Sequence, residues 1–203
     1  TVVFVGMRGG RGARLAEEVV AGYRVTHHRF DIRLDLESGR ALITDRLSLE
    51  RMPGAQGMAV LRMGSEFLVQ EVRDDTGPLP FAQCGGVVAV QVESATEITV
   101  RYESAEGLVK ADEAVLSGHV WWLSVGRLQA THSATVRVPD GWELVSMEPA
   151  SKRAPGVYEY ECKQPSTYLS LAVGKYRSAE RTAAPVAVRL LHQGEMRGEP
   201  QGY

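Results

Sequence analysis

The stretch that decides the fold is residues 23–36, YRVTHHRFDIRLDL, in which apolar and charged side chains alternate. Successive side chains of a β-strand face opposite sides, so every second residue of this stretch shares a face. The apolar side chains that would share one face are Phe30, Ile32, Leu34 and Leu36. Arginine and aspartate alternate on the other face, where opposite charges favour cross-strand pairs. The pattern predicts a long strand with one buried face and one solvent-exposed face.

The residues that follow repeat this pattern of short strands and turns. Residues 37–40 (ESGR) predict a turn and residues 41–50 a return strand, which together make a hairpin. Strong turn signals recur at residues 74–78 (DDTGP) and 139–142 (PDGW). Further strands are predicted at residues 58–62, 67–72, 79–81, 87–92, 97–103, 133–138, 157–162, 168–176 and 186–191. The spacing predicts an all-β fold, an antiparallel β-sandwich or saddle-like sheet domain.

The first 22 residues differ from the rest and predict a lead-in to a β domain at residues 23–182. Residues 12–21 favour a short N-terminal helix, and residues 111–115 a weaker second one. The glycine-rich turn at residues 6–12 stands between an apolar run and this helix, an order that can cradle phosphate. Known phosphate loops need a Lys-Ser or Lys-Thr pair, or a third glycine, after the turn. Neither follows here, so no phosphate site is predicted.

Composition excludes several classes of protein. The chain has 203 residues, of which 44% are hydrophobic and 24% are charged, as in an ordered globular protein. A net charge of −2 lacks the basic excess of a general nucleic-acid binder. No apolar run is long enough to span a bilayer. The two cysteines, Cys84 and Cys162, fit either a disulfide or two reduced thiols, and the compartment stays open between cytoplasm and export.

The sequence lacks the common catalytic and metal-binding motifs. It contains no His-Glu-x-x-His, no Cys-x-x-Cys and no Gly-x-Ser-x-Gly. His27 and His28 are adjacent on a predicted strand, so their rings face opposite sides and cannot share one metal ion. We therefore expect no catalytic residue, no metal ligand and no cofactor site in this chain.

The most unusual segment is residues 115–124, VLSGHVWWLS, with two adjacent tryptophans. On an extended stretch Trp121 and Trp122 would point to opposite faces. One of them would fill the core, and the other would lie at a surface or an interface. Two interpretations stay open: a large core residue with a packed neighbour, which is the more ordinary one, and a surface that docks another domain or faces a ligand.

Several stretches, read in order, resemble the N-terminal domain of M1-family zinc aminopeptidases of a divergent bacterial type. Residues 23–36 are similar to the family's opening strand. The others are residues 72–81 (VRDDTGPLPF), 98–102 (ITVRY), 136–146 (VRVPDGWELVS) and 165–176 (PSTYLSLAVGKY). Trp121-Trp122 falls where divergent bacterial members carry an aromatic pair.

The resemblance implies a non-catalytic, saddle-like β domain that packs over the substrate cleft of a separate catalytic domain. Zinc, its ligands and the general base would belong to that second domain, and residues 183–203 would begin the connection to it. The implied partners are the catalytic domain of the same polypeptide and the peptide substrate of the parent protein. The candidate cleft- or interface-facing residues are His119, Trp121, Trp122 and Arg127.

One family feature is missing, and one alternative stays open. Typical members contribute a glutamine from a Thr-Gln-x-Glu passage to hold the amino end of the substrate, and residues 116–127 contain no Gln-x-Glu. This leaves the activity of the parent open. The alternative is a stand-alone β-sandwich module that binds protein or carbohydrate through exposed aromatic side chains.

Overall fold

The computed structural model describes residues 22–118, 120–125, 129–183 and 186–193. These residues form fifteen β-strands and no helix, which confirms the all-β prediction. The strands are β1 Tyr23–Asp35, β2 Arg40–Arg51, β3 Met58–Arg62, β4 Phe67–Arg73, β5 Phe81–Cys84, β6 Val87–Gln91, β7 Glu97–Ser104, β8 Glu113–Leu116, β9 Ala130–Arg137, β10 Glu143–Ser146, β11 Ser151–Ala154, β12 Val157–Ser166, β13 Leu171–Gly174, β14 Arg177–Ala183 and β15 Val186–His192. The described part contains no helix long and apolar enough to cross a membrane.

Two helix predictions have different outcomes. The predicted helix at residues 12–21 lies outside the described residues. The weaker one at residues 111–115 is wrong, because β8 occupies this position. Ala114 and Leu116 are buried while Val115 between them is 49% exposed, the period of two that marks a strand. Pairing with β13 overrides the weak helical preference of these residues.

The largest sheet has seven strands in the order β11-β12-β9-β1-β2-β7-β4. The hairpin of β1 and β2, which the sequence predicts, forms and lies near the centre of this sheet. β1 and β9 pair in parallel, whereas the other described strand pairs are antiparallel. The large sheet is therefore mixed and not purely antiparallel as predicted. β2 pairs with one edge of β1, and β9 pairs with the other edge. The chain between β2 and β9 is long enough to let β9 run parallel to β1.

A bulge in β1 decides which side chains face the core. The pairing with β2 shifts between Val25 and His27, so one residue is left out of the ladder. Tyr23 and Val25 are buried before the shift, and His28 and Phe30 are buried after it. An extra residue at a bulge moves the following side chains to the opposite face. Leu36, expected on the buried face, is 45% exposed because β1 ends at Asp35.

The described residues also form three smaller sheets. Their strand orders are β3-β6-β5 and β10-β13-β8, and β14 pairs with β15. The side chain of Gln83 on β5 joins two sheets, because it donates to the carbonyl oxygen of Phe67 at 2.7 Å and accepts from the N–H of Val69 at 2.9 Å. A side-chain amide thus occupies the place of a strand partner along the edge of β4.

The two cysteines are free thiols, one exposed (Cys84) and one buried (Cys162). Of the two states left open by the sequence, the structure therefore shows the reduced one. The domain limits between residues 22 and 23 and between residues 182 and 183 stay predictions. Ala183 closes β14 and pairs with Val186 of β15.

Candidate functional site

The segment between β8 and β9 is fixed to two of the smaller sheets. We call residues 117–125 the tryptophan loop, of which residue 119 lies outside the described part. The N–H of Gly118 donates to the hydroxyl of Ser170 at 3.2 Å, beside β13. Ser124 and Arg62 of β3 exchange two backbone hydrogen bonds of 2.8 Å, and the N–H of Gly64 donates to the carbonyl oxygen of Val120. The loop therefore bridges β3 and β13.

Both tryptophans of the loop lie in the core. Trp121 and Trp122 are each 1% exposed. The indole N–H of Trp121 donates to the carbonyl oxygen of Leu169 at 2.9 Å, and that of Trp122 to the carbonyl oxygen of Gly118 at 3.2 Å. The sequence-based inference that one of them must lie at a surface is wrong. The loop bends here instead of continuing as a strand, so adjacent side chains can enter the same core.

The other two candidate residues have no described position. His119 and Arg127 lie outside the described residues, so their cleft- or interface-facing role stays a prediction. Val120, next to His119 in the chain, is 39% exposed. Val120 thus reaches the surface directly beside the buried tryptophans, while its carbonyl oxygen accepts from the N–H of Gly64.

An aromatic cluster holds the loop against β1. The ring of Phe30 lies 5.0 Å from that of Trp121 and 6.5 Å from that of Trp122. The imidazole of His28 stacks on Phe30 at 5.2 Å and meets the edge of Trp122 at 4.8 Å. Aromatic pairs at such separations add stabilisation beyond the area they bury. The loop therefore has a rigid base on the central strand of the large sheet.

A buried histidine–aspartate pair lies beside this cluster. Nδ1 of His28 is 2.8 Å from Oδ2 of Asp45, and the two side chains are 1% and 0% exposed. The expectation that His27 and His28 face opposite sides is confirmed: the half-buried His27 contacts the hydroxyl of Thr131 at 2.7 Å. Sequence reasoning missed Asp45. The available signal is its place between Ile43 and Leu47, at an inward-facing position of β2.

Burial shifts the proton affinity of several groups around the pair. Burial raises the pKa of Asp45, and the neighbouring His28 opposes that shift. Burial, followed by the charge of His28, lowers the pKa of His132 from 6.5 to about 4. The same two causes lower the pKa of His27. At neutral pH His132 is therefore uncharged.

The described side chains of this site pack and hydrogen-bond within the core, and in this way they hold the tryptophan loop in place. Among the described residues no group of three or more His, Cys, Asp and Glu side chains could hold a metal ion. Two close pairs of such groups are His28 with Asp45, at 2.8 Å, and Cys162 with Glu148, at 3.4 Å. In each pair the donor and acceptor atoms bind each other, so a zinc ion does not fit either set.

Comparisons of the whole structure give its relatives in fold. Native yeast LTA4 hydrolase matches 83% of this chain with a TM-score of 0.65 and 14% identity. The M1 zinc metallopeptidase of Deinococcus radiodurans matches 83% with a TM-score of 0.58 and 15% identity. The described chain has an M1 peptidase-like fold. No protein-family model matches the chain, and no curated protein matches it in sequence.

The chain spans less than half of these M1 proteins. It covers 31% of the yeast LTA4 hydrolase chain and 46% of the Deinococcus metallopeptidase chain. A two-domain M1 zinc metallopeptidase is matched with a TM-score of 0.61 and 16% identity over 47% of its length. At these identities the likeness shows the fold. The chain is therefore similar in fold to one part of each of these longer chains.

Proposed function

We propose that this chain is the non-catalytic N-terminal β domain of an M1-like metallopeptidase. In this proposal it packs over a zinc-binding catalytic domain of the same polypeptide and shapes the cleft that receives the peptide substrate. The observation that carries the proposal is the fold match, which takes in 83% of this chain and 31–47% of each M1 protein. The order of the family-like stretches between residues 23 and 176 supports the N-terminal assignment.

The tryptophan loop is the part that we propose faces the cleft. Its backbone is hydrogen-bonded on two sides, and the indoles of Trp121 and Trp122 fill the core beneath it. In this proposal His119 of the loop, and Arg127, which follows the loop in the chain, contact the peptide substrate. The tryptophans themselves act as anchors and not as contact residues.

The alternative of a self-standing binding module loses its main support. That interpretation relied on an exposed tryptophan as a platform for sugar or peptide, and both loop tryptophans are 1% exposed. Tyr168, which is 49% exposed, is the large aromatic side chain that the described surface offers near Gly118. A single tyrosine is a weak platform.

Two experiments test the proposal. The purified 203-residue chain should hydrolyse neither leucine nor alanine amides, with or without added zinc. Turnover that a chelator abolishes would overturn the non-catalytic role.

In the full-length parent, His119→Ala and Arg127→Ala should raise the KM for a tripeptide while leaving the thermal midpoint of unfolding unchanged. Arg137→Ala is the matched control, because Arg137 lies on the exposed face of β9 and pairs with Asp31. If all three variants have the same KM, the tryptophan loop does not face the cleft.

A further inference from the structure

Three ionisable side chains lie in the core on neighbouring strands of the large sheet. We call His28, Asp45 and His132 the buried ionisable cluster; each of them is at most 2% exposed. His132 of β9 lies directly opposite His28 of β1 in the parallel ladder. Charged or chargeable groups are rarely buried without a full set of partners, because desolvation disfavours their charged form. Nothing in the proposed domain-packing role requires them.

The cluster is in contact with the tryptophan loop through one ring. The Trp122 indole lies 4.8 Å from the imidazole of His28 and 6.4 Å from that of His132. The far side of His132 contacts the ring of Tyr160 at 5.9 Å. A change in the charge of His132 therefore acts on Trp122 and, through it, on the loop that Trp122 anchors.

The surroundings of His132 disfavour its protonated form, because burial lowers its pKa. Its Nδ1 has no hydrogen-bond partner within the described part of the chain, and neither has the hydroxyl of Tyr160. The groups around it are the backbone of Ala130, His27 and His28 of β1, Glu148 before β11, and Tyr160 and Cys162 of β12, while Asp45 of β2 is bonded to His28. The hydrogen bond of the Ala130 backbone and the charge of Glu148 favour the protonated form of His132, but burial outweighs them. Glu148 is the acidic group on its side of the cluster, and its Oε1 already accepts from the thiol of Cys162 at 3.4 Å.

We propose that the buried ionisable cluster is an acid-sensitive switch, in which protonation of His132 releases Trp122 and the tryptophan loop from the core. Protonation places a charge on a ring that is 2% exposed and lies among the rings of Trp122 and Tyr160, and desolvation of that charge favours a state in which the imidazole reaches water. The loop offers a route to water, because Val120 beside the buried tryptophans is 39% exposed. The release is local, because β1 and β9 stay paired through their backbones.

The direction of the pH response follows from linkage. The pKa of His132 is about 4 in the closed state and 6.5 when the ring is hydrated. The open state therefore binds the proton more tightly, and acid favours it by about tenfold per pH unit between 6.5 and 4. The pKa of Asp45 is raised, so this carboxyl takes up a proton in acid while closed and opposes opening. Asp45→Asn should thus leave the acid response in place.

The test is a titration of the isolated 203-residue chain from pH 7 to pH 4, followed by tryptophan emission. We expect a red shift of the emission before the far-UV circular dichroism changes, because an indole enters water while the strands persist. His132→Phe and His132→Gln should both lack the shift, and the second variant covers the case in which phenylalanine overpacks the site. His27→Gln is the matched control, because His27 faces the other side of the sheet, and it should keep the shift.

Two results would overturn the proposal. One is an emission that stays constant to pH 4, or that shifts equally in folded His132 variants. The other is a red shift that coincides at every pH with the loss of strand signal, which would mean global unfolding without a local switch. The titration needs no peptidase partner, so its outcome is independent of the proposed role in an M1-like protein.

Discussion

The hydrogen bond of one buried tryptophan allows a sharp test of how the loop is held. Trp121 and Trp142 are both 1% exposed, but their indole N–H groups differ in whether they have a hydrogen-bond partner. The indole N–H of Trp121 donates to the carbonyl oxygen of Leu169 at 2.9 Å, whereas that of Trp142 has no partner among the described residues. Replacing each by phenylalanine removes the same volume from the core. A phenylalanine at position 121 can keep a ring contact with Phe30, so the two substitutions should differ chiefly by the hydrogen bond.

The size of the difference follows from the cost of an unpaired buried group. Trp121→Phe leaves the carbonyl oxygen of Leu169 without its donor, which costs about 1–3 kcal/mol. Trp142→Phe removes a donor that is already unpaired, so only the volume change remains. We expect Trp121→Phe to lower the free energy of unfolding by about 2 kcal/mol more than Trp142→Phe does.

Urea unfolding, followed by circular dichroism and extrapolated to water, measures this difference. With a denaturant slope of about 2 kcal/mol per molar, the two midpoints should differ by about 1 M. Equal midpoints, or a lower midpoint for Trp142→Phe, would refute the claim that the Trp121 hydrogen bond anchors the loop.

Three further predictions concern other parts of the fold. Gln83→Ala should lower the free energy of unfolding by about 1–3 kcal/mol, because it unpairs buried backbone groups of β4. The exposed Gln91→Ala should change it by less than about 0.5 kcal/mol in the same urea assay. Burial raises the pKa of Asp45, so the folded wild type loses stability as the pH rises through that pKa. Asp45→Asn should remove this loss, which thermal midpoints measured between pH 4 and pH 8 would show. If wild type and variant have the same pH dependence of the midpoint, the assignment is wrong. Gly86→Ala would place a Cβ 2.3 Å from the carbonyl oxygen of Met63 and should cost about 1–3 kcal/mol, so a variant as stable as wild type would contradict this packing.

The sequence predicts the strands well where alternation is strong. Residues 29–36 alternate strictly, and β1 with its hairpin partner β2 forms as expected. The bulge after Val25 appears in the sequence as a change of the apolar positions from odd (Tyr23, Val25) to even (Phe30), and it decides that His28 faces the core. The parallel pairing of β1 with β9 joins residues more than 100 positions apart, and local patterns carry no information on such pairs.

The candidate site is predicted less completely than the fold. The sequence indicates that the Trp121-Trp122 segment is special, but the inference about opposite faces assumes an extended chain and fails where the loop bends. Asp45 occupies an apolar position of β2, and this is a readable signal for a buried charge. His132 gives no such signal alone, because its importance comes from the strand that pairs with it.

The most direct test of the central claim is the coding sequence that follows Tyr203. The account predicts a second domain that contains a His-Glu-x-x-His helix with a glutamate further along the chain, the set of residues that binds zinc in such peptidases. A reading frame that stops close to Tyr203, or that continues into a domain without this set, would contradict the assignment to a zinc peptidase.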